Sequence, residues 1–532
     1  MRNASLVTLF EKILPYVLLL LAAVIIVRTA WLSDDSFITL RESINFTHGL
    51  GISWYPGIRI QAFTHPAWFL LLSTMHYITQ EYYYSTLIMS FVLTFGAISL
   101  LYKHALCHNA RLVICCSLLL LLTSKAFIDY TSSGLENPLS YFLCAVMLLA
   151  VLNNTESIAN KQMWLFYISS ALLVLNRLDY ILLIMPSVFY YLRTHFKLAW
   201  RPALSAVSLV MAWLVFATIY FGAPLPNTFY AKLGGHYPYL EVLAHGIDYY
   251  LFQIYFEPAT LIIIACGIVS GFITHGISRC FATGILLYLL YIIFIGGDFM
   301  QGRFFALLVF NSVFLIQHAT LANKLTPKML LALVLVVISF AVVNNRQTWP
   351  LLASTHYQHD LIVSGIADER GFYYSKYGLL SPTRHWPTPI ISIKSALPFI
   401  EDYKVLCGGV GAAGLTNPPS HYVFDSCGLT DLLLARLPGI PYQDWRVGHV
   451  YRYLPTDYFS SLQSGENNFK DPQLKKLYRD ILLINSPDLF TKQRWYAIYR
   501  FNLSKPYTFH LAKTQFRTHL THLNHAQKPW QR

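Results

Sequence analysis

Apolar stretches close to membrane-spanning length recur along the first 345 residues, and no other feature of this chain limits its fold so strongly. A helix needs about 20 mostly apolar residues to cross ~30 Å of hydrocarbon. Candidate stretches lie at 13–31, 84–102, 111–127, 138–152, 163–176, 180–192, 203–221, 259–275, 281–296, 304–320 and 327–344. They predict a polytopic α-helical membrane protein with about eleven transmembrane helices. Charge is correspondingly scarce. Of 532 residues, 12% are Asp, Glu, Lys or Arg and 55% are hydrophobic, whereas soluble domains carry about 25% charged residues. A string of ordinary soluble domains is therefore excluded, and so is a disordered chain. The first stretch follows Arg2 and Lys12 and lacks a small-residue cleavage site behind it, so it reads as a retained anchor.

The formal net charge is +13, yet the basic residues form no patch, and no nucleic-acid partner is expected. Many of them fall in alternate connections: Lys103 and Arg111, Lys161, Arg193 with Lys197 and Arg201, Arg279, then Lys324 and Lys328. Glu156 is the one acid among them. The remaining loops hold Asp34, Asp35, Glu42, Glu81, Asp129, Glu136, Asp179, Asp248, Glu257 and Asp298. Basic loops stay cytoplasmic, which puts the acidic loops and the polar residues 346–532 on the outer face. Within 346–532, Lys404-Val405-Leu406 and Tyr422-Val423-Phe424 read as strands around the glycine-rich segment 408–414, giving a mixed α/β domain. The glycine spacing falls short of a dinucleotide fingerprint and reads as a tight turn. Cys407 and Cys427 are the only cysteines here; a disulfide and two buried thiols are both open. The other six cysteines, in or beside apolar runs, read as packing thiols.

The first outer loop, 32–83, is the most unusual segment. Asp34 and Asp35 stand where the first apolar stretch ends, and ionisable groups at that depth are functional candidates. Adjacent carboxylates repel, which raises one pKa and suits a general base. Capping of a helix that begins at Ser36 is the plainer alternative. Arg41 lies about two helical turns on, where a guanidinium can share a face with the acids and hold a phosphate. The loop continues through Trp54-Tyr55-Pro56-Gly57 and Phe63-Thr64-His65-Pro66, an aromatic composition suited to sugars as well as to interfacial anchoring.

From Asp34 to Pro66 the loop resembles the first outer loop of C-superfamily, polyprenyl-phosphate-dependent membrane glycosyltransferases. It is similar to that of the terminal β-(1→2)-arabinofuranosyltransferases of mycobacterial walls and of LphB-type proteins. Later segments are similar too: Ser132-Ser133-Gly134-Leu135-Glu136, Pro226-Asn227-Thr228, Gly296-Gly297-Asp298 through Arg303, Asp368-Glu369-Arg370, Gly428-Leu429-Thr430-Asp431 and Trp445-Arg446. The resemblance covers about 30 to 455. Leu178 departs from the proline that relatives carry after the arginine.

The resemblance implies an inverting transfer of a sugar, arabinofuranose or another pentose, from a polyprenyl-phosphate donor to an envelope glycan such as lipopolysaccharide. The setting it implies is the periplasmic face of a bacterial inner membrane. Asp34 or Asp35 would be the catalytic base. Arg41, Arg177, Lys232 and Arg303 would hold the donor phosphate, and Tyr55, His65, Glu136, Asn227, Asp298, Asp368, Glu369 and Arg370 would contact substrate. For Asp368, Glu369 and Arg370 an internal ion-pair cluster is the plainer reading. No cofactor is required. Relatives can bind a divalent ion, but His356, His359 and Asp360 make no convincing metal set, so no metal ligand is assigned. An oligosaccharide ligase or protein O-mannosyltransferase, and a lipid-glycan transporter, are the alternatives.

Overall fold

A computed structural model describes residues 2–152, 159–233, 238–344, 362–390, 400–418, 420–440 and 445–503. Glu156, His356, His359 and Asp360 lie outside these ranges. The chain is mostly helical. It opens with α1 (Arg2–Arg28), α2 (Asp34–Thr47), α3 (Pro66–Thr79), α4 (Tyr83–Leu106), α5 (Arg111–Thr123), α6 (Lys125–Asp129) and α7 (Asn137–Leu152). There follow α8 (Asn160–Asn176), α9 (Ile181–Thr194), α10 (Phe196–Phe221), α11 (Asn227–Leu233), α12 (Tyr239–Phe256), α13 (Pro258–Thr274), α14 (Gly276–Phe294), α15 (Ala306–Leu321) and α16 (Pro327–Asn344).

Among the described residues, four helical segments are long and apolar enough to cross a membrane: Tyr83–Leu106, Phe196–Phe221, Gly276–Phe294 and Arg303–Leu321. The pair α12 and α13, bent by 107°, makes a fifth if taken as one span. The expected eleven are therefore not found on this measure. Some of the expected spans are short: α5 and α7 have 13 and 16 residues, or about 20 and 24 Å at ~1.5 Å per residue. Burial separates the long helices by position. The span containing α15 is 89% buried and central, while α10 is only 17% buried and turns Leu204, Val207, Met211 and Val215 outward. An exposed apolar stripe of that length suits lipid contact.

The later chain is less regular. A short hairpin, β1 (Ile362–Val363) with β2 (Ile366–Ala367), precedes α17 (Glu369–Tyr377). Strands β3 (Asp402–Leu406) and β4 (His421–Asp425) pair in parallel, with Asp402 beside His421 and Leu406 beside Asp425. The connection between them carries α18 (Val410–Thr416), and α19 (Thr456–Ser464), α20 (Pro472–Ile484) and α21 (Lys492–Leu503) follow. The two strands expected from the sequence are thus present. A disulfide joins Cys407 and Cys427 just past the strand ends, with Cα atoms 5.1 Å apart. Cys115, Cys116 and Cys144 are buried, Cys266 and Cys280 are partly so, and Cys107 is exposed.

The later chain packs together with the first loop. One apolar core joins Ile38, Trp54, Tyr55 and Ile60 of the first loop to Val410, Tyr422, Phe424, Leu477 and Phe501. Tyr55 stacks on Tyr422 with ring centres 4.3 Å apart, and its hydroxyl accepts from the Val423 N–H at 2.6 Å.

Candidate functional site

The N-terminus of α2 is fixed before its acids act. Ser33 caps it, accepting from Ser36 N at 3.2 Å, and the Ser33 N–H donates to the Ser133 carbonyl at 2.9 Å. Gly134, at φ +76°, lets the Ser-Ser-Gly turn close on this cap, because a Cβ there would lie 2.7 Å from Ser36. The cap is therefore Ser33, and the two aspartates are free for other partners.

They diverge, as adjacent helical residues must. Asp34 is buried against α18 and accepts from Gly411 N at 3.0 Å and Ala412 N at 2.9 Å. It thus satisfies the amino end of a second helix. Burial pushes its carboxyl up to about 6, against the pull of the Ala412 and Gly411 N–H groups. Asp35 points the other way, into a small cleft that opens to solvent. Ile38, Thr39, His65, Leu135, Lys232 and Arg303 also line that cleft.

Charge in the cleft is organised around Arg303. Its guanidinium lies 3.6 Å from Asp35, 3.3 Å from Glu136 and 3.7 Å from Asp298. Glu136 is fully buried and also receives Arg177 at 3.1 Å and His65 Nδ1 at 3.2 Å. Burial would raise its carboxyl, but Arg303, His65 and Arg177 hold it well below the usual range. The other nitrogen of His65 meets the Thr39 hydroxyl at 2.7 Å. For Asp35 the balance goes the other way: burial raises its pKa more than Arg303 and Lys232 lower it, with Asp298 and Glu136 adding to the rise.

Two cleft groups are uncommitted among the described residues. Lys232 forms no ion pair there, although its charge reaches Asp35. The buried Thr228 hydroxyl, one helical turn before Lys232 on α11, has no hydrogen-bond partner. Thr228 and Thr39 are site residues that the sequence reading left out. Spacing was the available signal, since each stands four residues from a chosen residue (Lys232 and Asp35) on the same helix face.

Other chosen residues sit elsewhere. Arg41 shares a face with Asp34, not Asp35; its Nε donates to the Trp54 carbonyl at 2.8 Å. Its guanidinium lies 4.8 Å and 4.7 Å from the ring centres of Trp54 and Tyr55. Tyr55 belongs to the apolar core. Arg177 stands behind the cleft, bonded to both oxygens of Asp179 at 3.0 and 2.6 Å. Asn227 is a fastener, its amide donating to the carbonyls of Gly428, Leu429 and Asp431. Asp368 and Arg370 belong to a buried ion cluster. Lys125 pairs with Asp129, and with Asp368 at 3.0 Å, while Arg370 reaches Asp129 at 2.5 Å. Glu369 is buried near the cleft without lining it; burial, opposed by Arg446 and aided by Asp35, Asp34 and Asp298, pushes its carboxyl up to about 8.

The glycine-rich segment cradles no phosphate here, because its helix end receives Asp34. Among the described residues no three His, Cys, Asp or Glu side chains converge as a metal set would. No protein-family model, no curated protein and no solved structure matches this chain.

Proposed function

We propose that the cleft is the active site of a C-type membrane glycosyltransferase that moves a pentose from a polyprenyl-phosphate donor to an envelope glycan hydroxyl. The setting of the reading is the periplasmic face of a bacterial inner membrane. One observation carries it: Asp35 alone of the two acids faces the cleft, with Arg303, Lys232 and the uncommitted Thr228 hydroxyl around the same space.

The chemistry follows from that arrangement. An acceptor hydroxyl beside Asp35 gives up its proton to the carboxylate as its oxygen attacks the anomeric carbon. The bond from that carbon to the phosphate oxygen breaks on the far side, and the electron pair leaves with the phosphate, inverting the centre. Lys232 and Arg303 stabilise the departing charge. Arg303 is already matched by carboxylates, whereas Lys232 forms no ion pair among the described residues. A phosphodiester with a single charge therefore fits better than a diphosphate, and this favours a polyprenyl-phosphate sugar over a diphosphate-linked oligosaccharide.

The test is transfer by purified protein in lipid nanodiscs, given a polyprenyl-phosphate pentose or, separately, a diphosphate-linked oligosaccharide. Turnover of the first alone is expected. Asp35→Asn should lower it by about 10²–10⁴-fold, the usual span for losing a positioned base, with thermal stability unchanged. Full activity in the Asp35→Asn protein would remove the base and the reading with it.

A further inference from the structure

Helix α21 has two unlike faces. Arg494, Ala497, Ile498 and Phe501 are buried. On the other side Lys492, Tyr496, Tyr499 and Leu503 follow the i, i+4, i+7, i+11 rhythm of one helical stripe. Tyr496 is 66%, Tyr499 59% and Leu503 73% exposed. Large aromatic and aliphatic side chains on one face, with basic residues beside them, are the composition of a helix that lies in a bilayer interface.

The buried face fixes where this helix sits. Arg494 Nη2 donates to the carbonyl of Ile219 at 2.5 Å and to that of Tyr220 at 3.3 Å, and Asn502 donates to Gly222 at 2.7 Å. Those carbonyls belong to the last turn of α10 and its cap, in the most lipid-exposed of the long apolar helices. From Arg201, the last charge on α10, to Phe221 the rise is about 30 Å, the thickness of the hydrocarbon. The carbonyls that hold α21 are therefore at the level where α10 leaves the membrane.

We propose that α21 is an interfacial helix whose Lys492, Tyr496, Tyr499 and Leu503 face is seated among phospholipid headgroups beside the outer end of α10. The inward side of the same helix backs the cleft. Asn502 accepts from the Tyr230 hydroxyl at 3.2 Å, and Arg436 lies 3.5 Å and 4.0 Å from the ring centres of Tyr230 and Phe501. Tyr230 stands on α11 between Thr228 and Lys232. Lipid contact on one side of α21 thus places Lys232 near headgroup level, where a lipid-borne phosphate would meet it.

The proposal rests on α10 as a span and not on any catalytic role. Photoreactive benzophenone side chains placed singly at 496, 499 and, as a control on exposed strand β3, at Tyr403 (40% exposed) would be irradiated in the full-length protein in phospholipid nanodiscs. Phospholipid adducts at 496 and 499, roughly tenfold above the control, are expected for side chains seated in the interface. Adducts no more frequent than at 403 overturn the proposal, because the face is then in water. Protein–protein adducts between two copies also overturn it, by making the stripe a dimer contact. The two aromatic positions guard against one variant that fails to fold, and transfer activity, measured alongside, leaves the catalytic reading separately testable.

Discussion

Asp34 and Asp35 are identical in chemistry and adjacent in sequence, and 100° of helical rotation gives them unlike tasks. Asp34 holds two backbone N–H groups of another element, so its loss should be felt in stability. Asp34→Ala is expected to cost about 1–3 kcal/mol, the range for leaving buried donors unpaired. A thermal melt in detergent would register it, and an unchanged midpoint would remove the capping role. On the proposed reading, Asp35 carries the pH dependence of transfer. Its carboxyl ionises above the ordinary range, and a base must be ionised to act. Transfer should therefore rise with pH across that displaced value and fall on its acid side. Lys232→Ala removes a cation that favours the ionised form. It should move the acid limb of kcat/KM further up in pH and reduce transfer about 10²-fold, the scale for one lost donor to a departing oxyanion. An acid limb that does not move would separate Lys232 from Asp35.

At the scale of elements, the contact between α2 and α18 is built backbone on backbone. A Cβ on Gly411 would collide with the Asp34 carbonyl oxygen, and one on Gly414 would lie 2.5 Å from the Trp54 ring. Gly411→Ala should therefore force the helices apart, at about 1–3 kcal/mol for an overpacked contact. Transfer should drop as Asp35 shifts, and a variant with wild-type stability and rate would contradict so close an approach. The sequence made some of these elements legible and hid others. Apolar runs located α4, α10, α14 and α15, and β-branched and aromatic runs located β3 and β4. Span number was not legible, because α5 and α7 look membrane-like in composition but are too short as helices. The division of the aspartates was also hidden, since which face of α2 meets α18 depends on a partner 377 positions away. Asp368 and Arg370 illustrate the same limit: their partners Lys125 and Asp129 lie in a different helix, and only the fold brings the charges together.

At the scale of the whole molecule, the cleft wall depends on the disulfide and on a core drawn from distant parts of the chain. Cys407 and Cys427, 20 positions apart, close a loop that contains α18. Replacing both with serine should cost about 3 kcal/mol by loop entropy. Non-reducing peptide mapping together with a melt would check this, and free thiols in protein from an oxidising compartment would count against the bridge. Trp54 and Tyr55 complete their packing against Tyr422, Phe424 and their neighbours. That division of labour sets an order of events during biosynthesis. The loop with Asp35 leaves the ribosome early, yet the surface that gives it shape is translated hundreds of codons later. Until then its tryptophan and aspartate wait without partners, so a premature stop late in the message should yield inserted helices and no finished cleft.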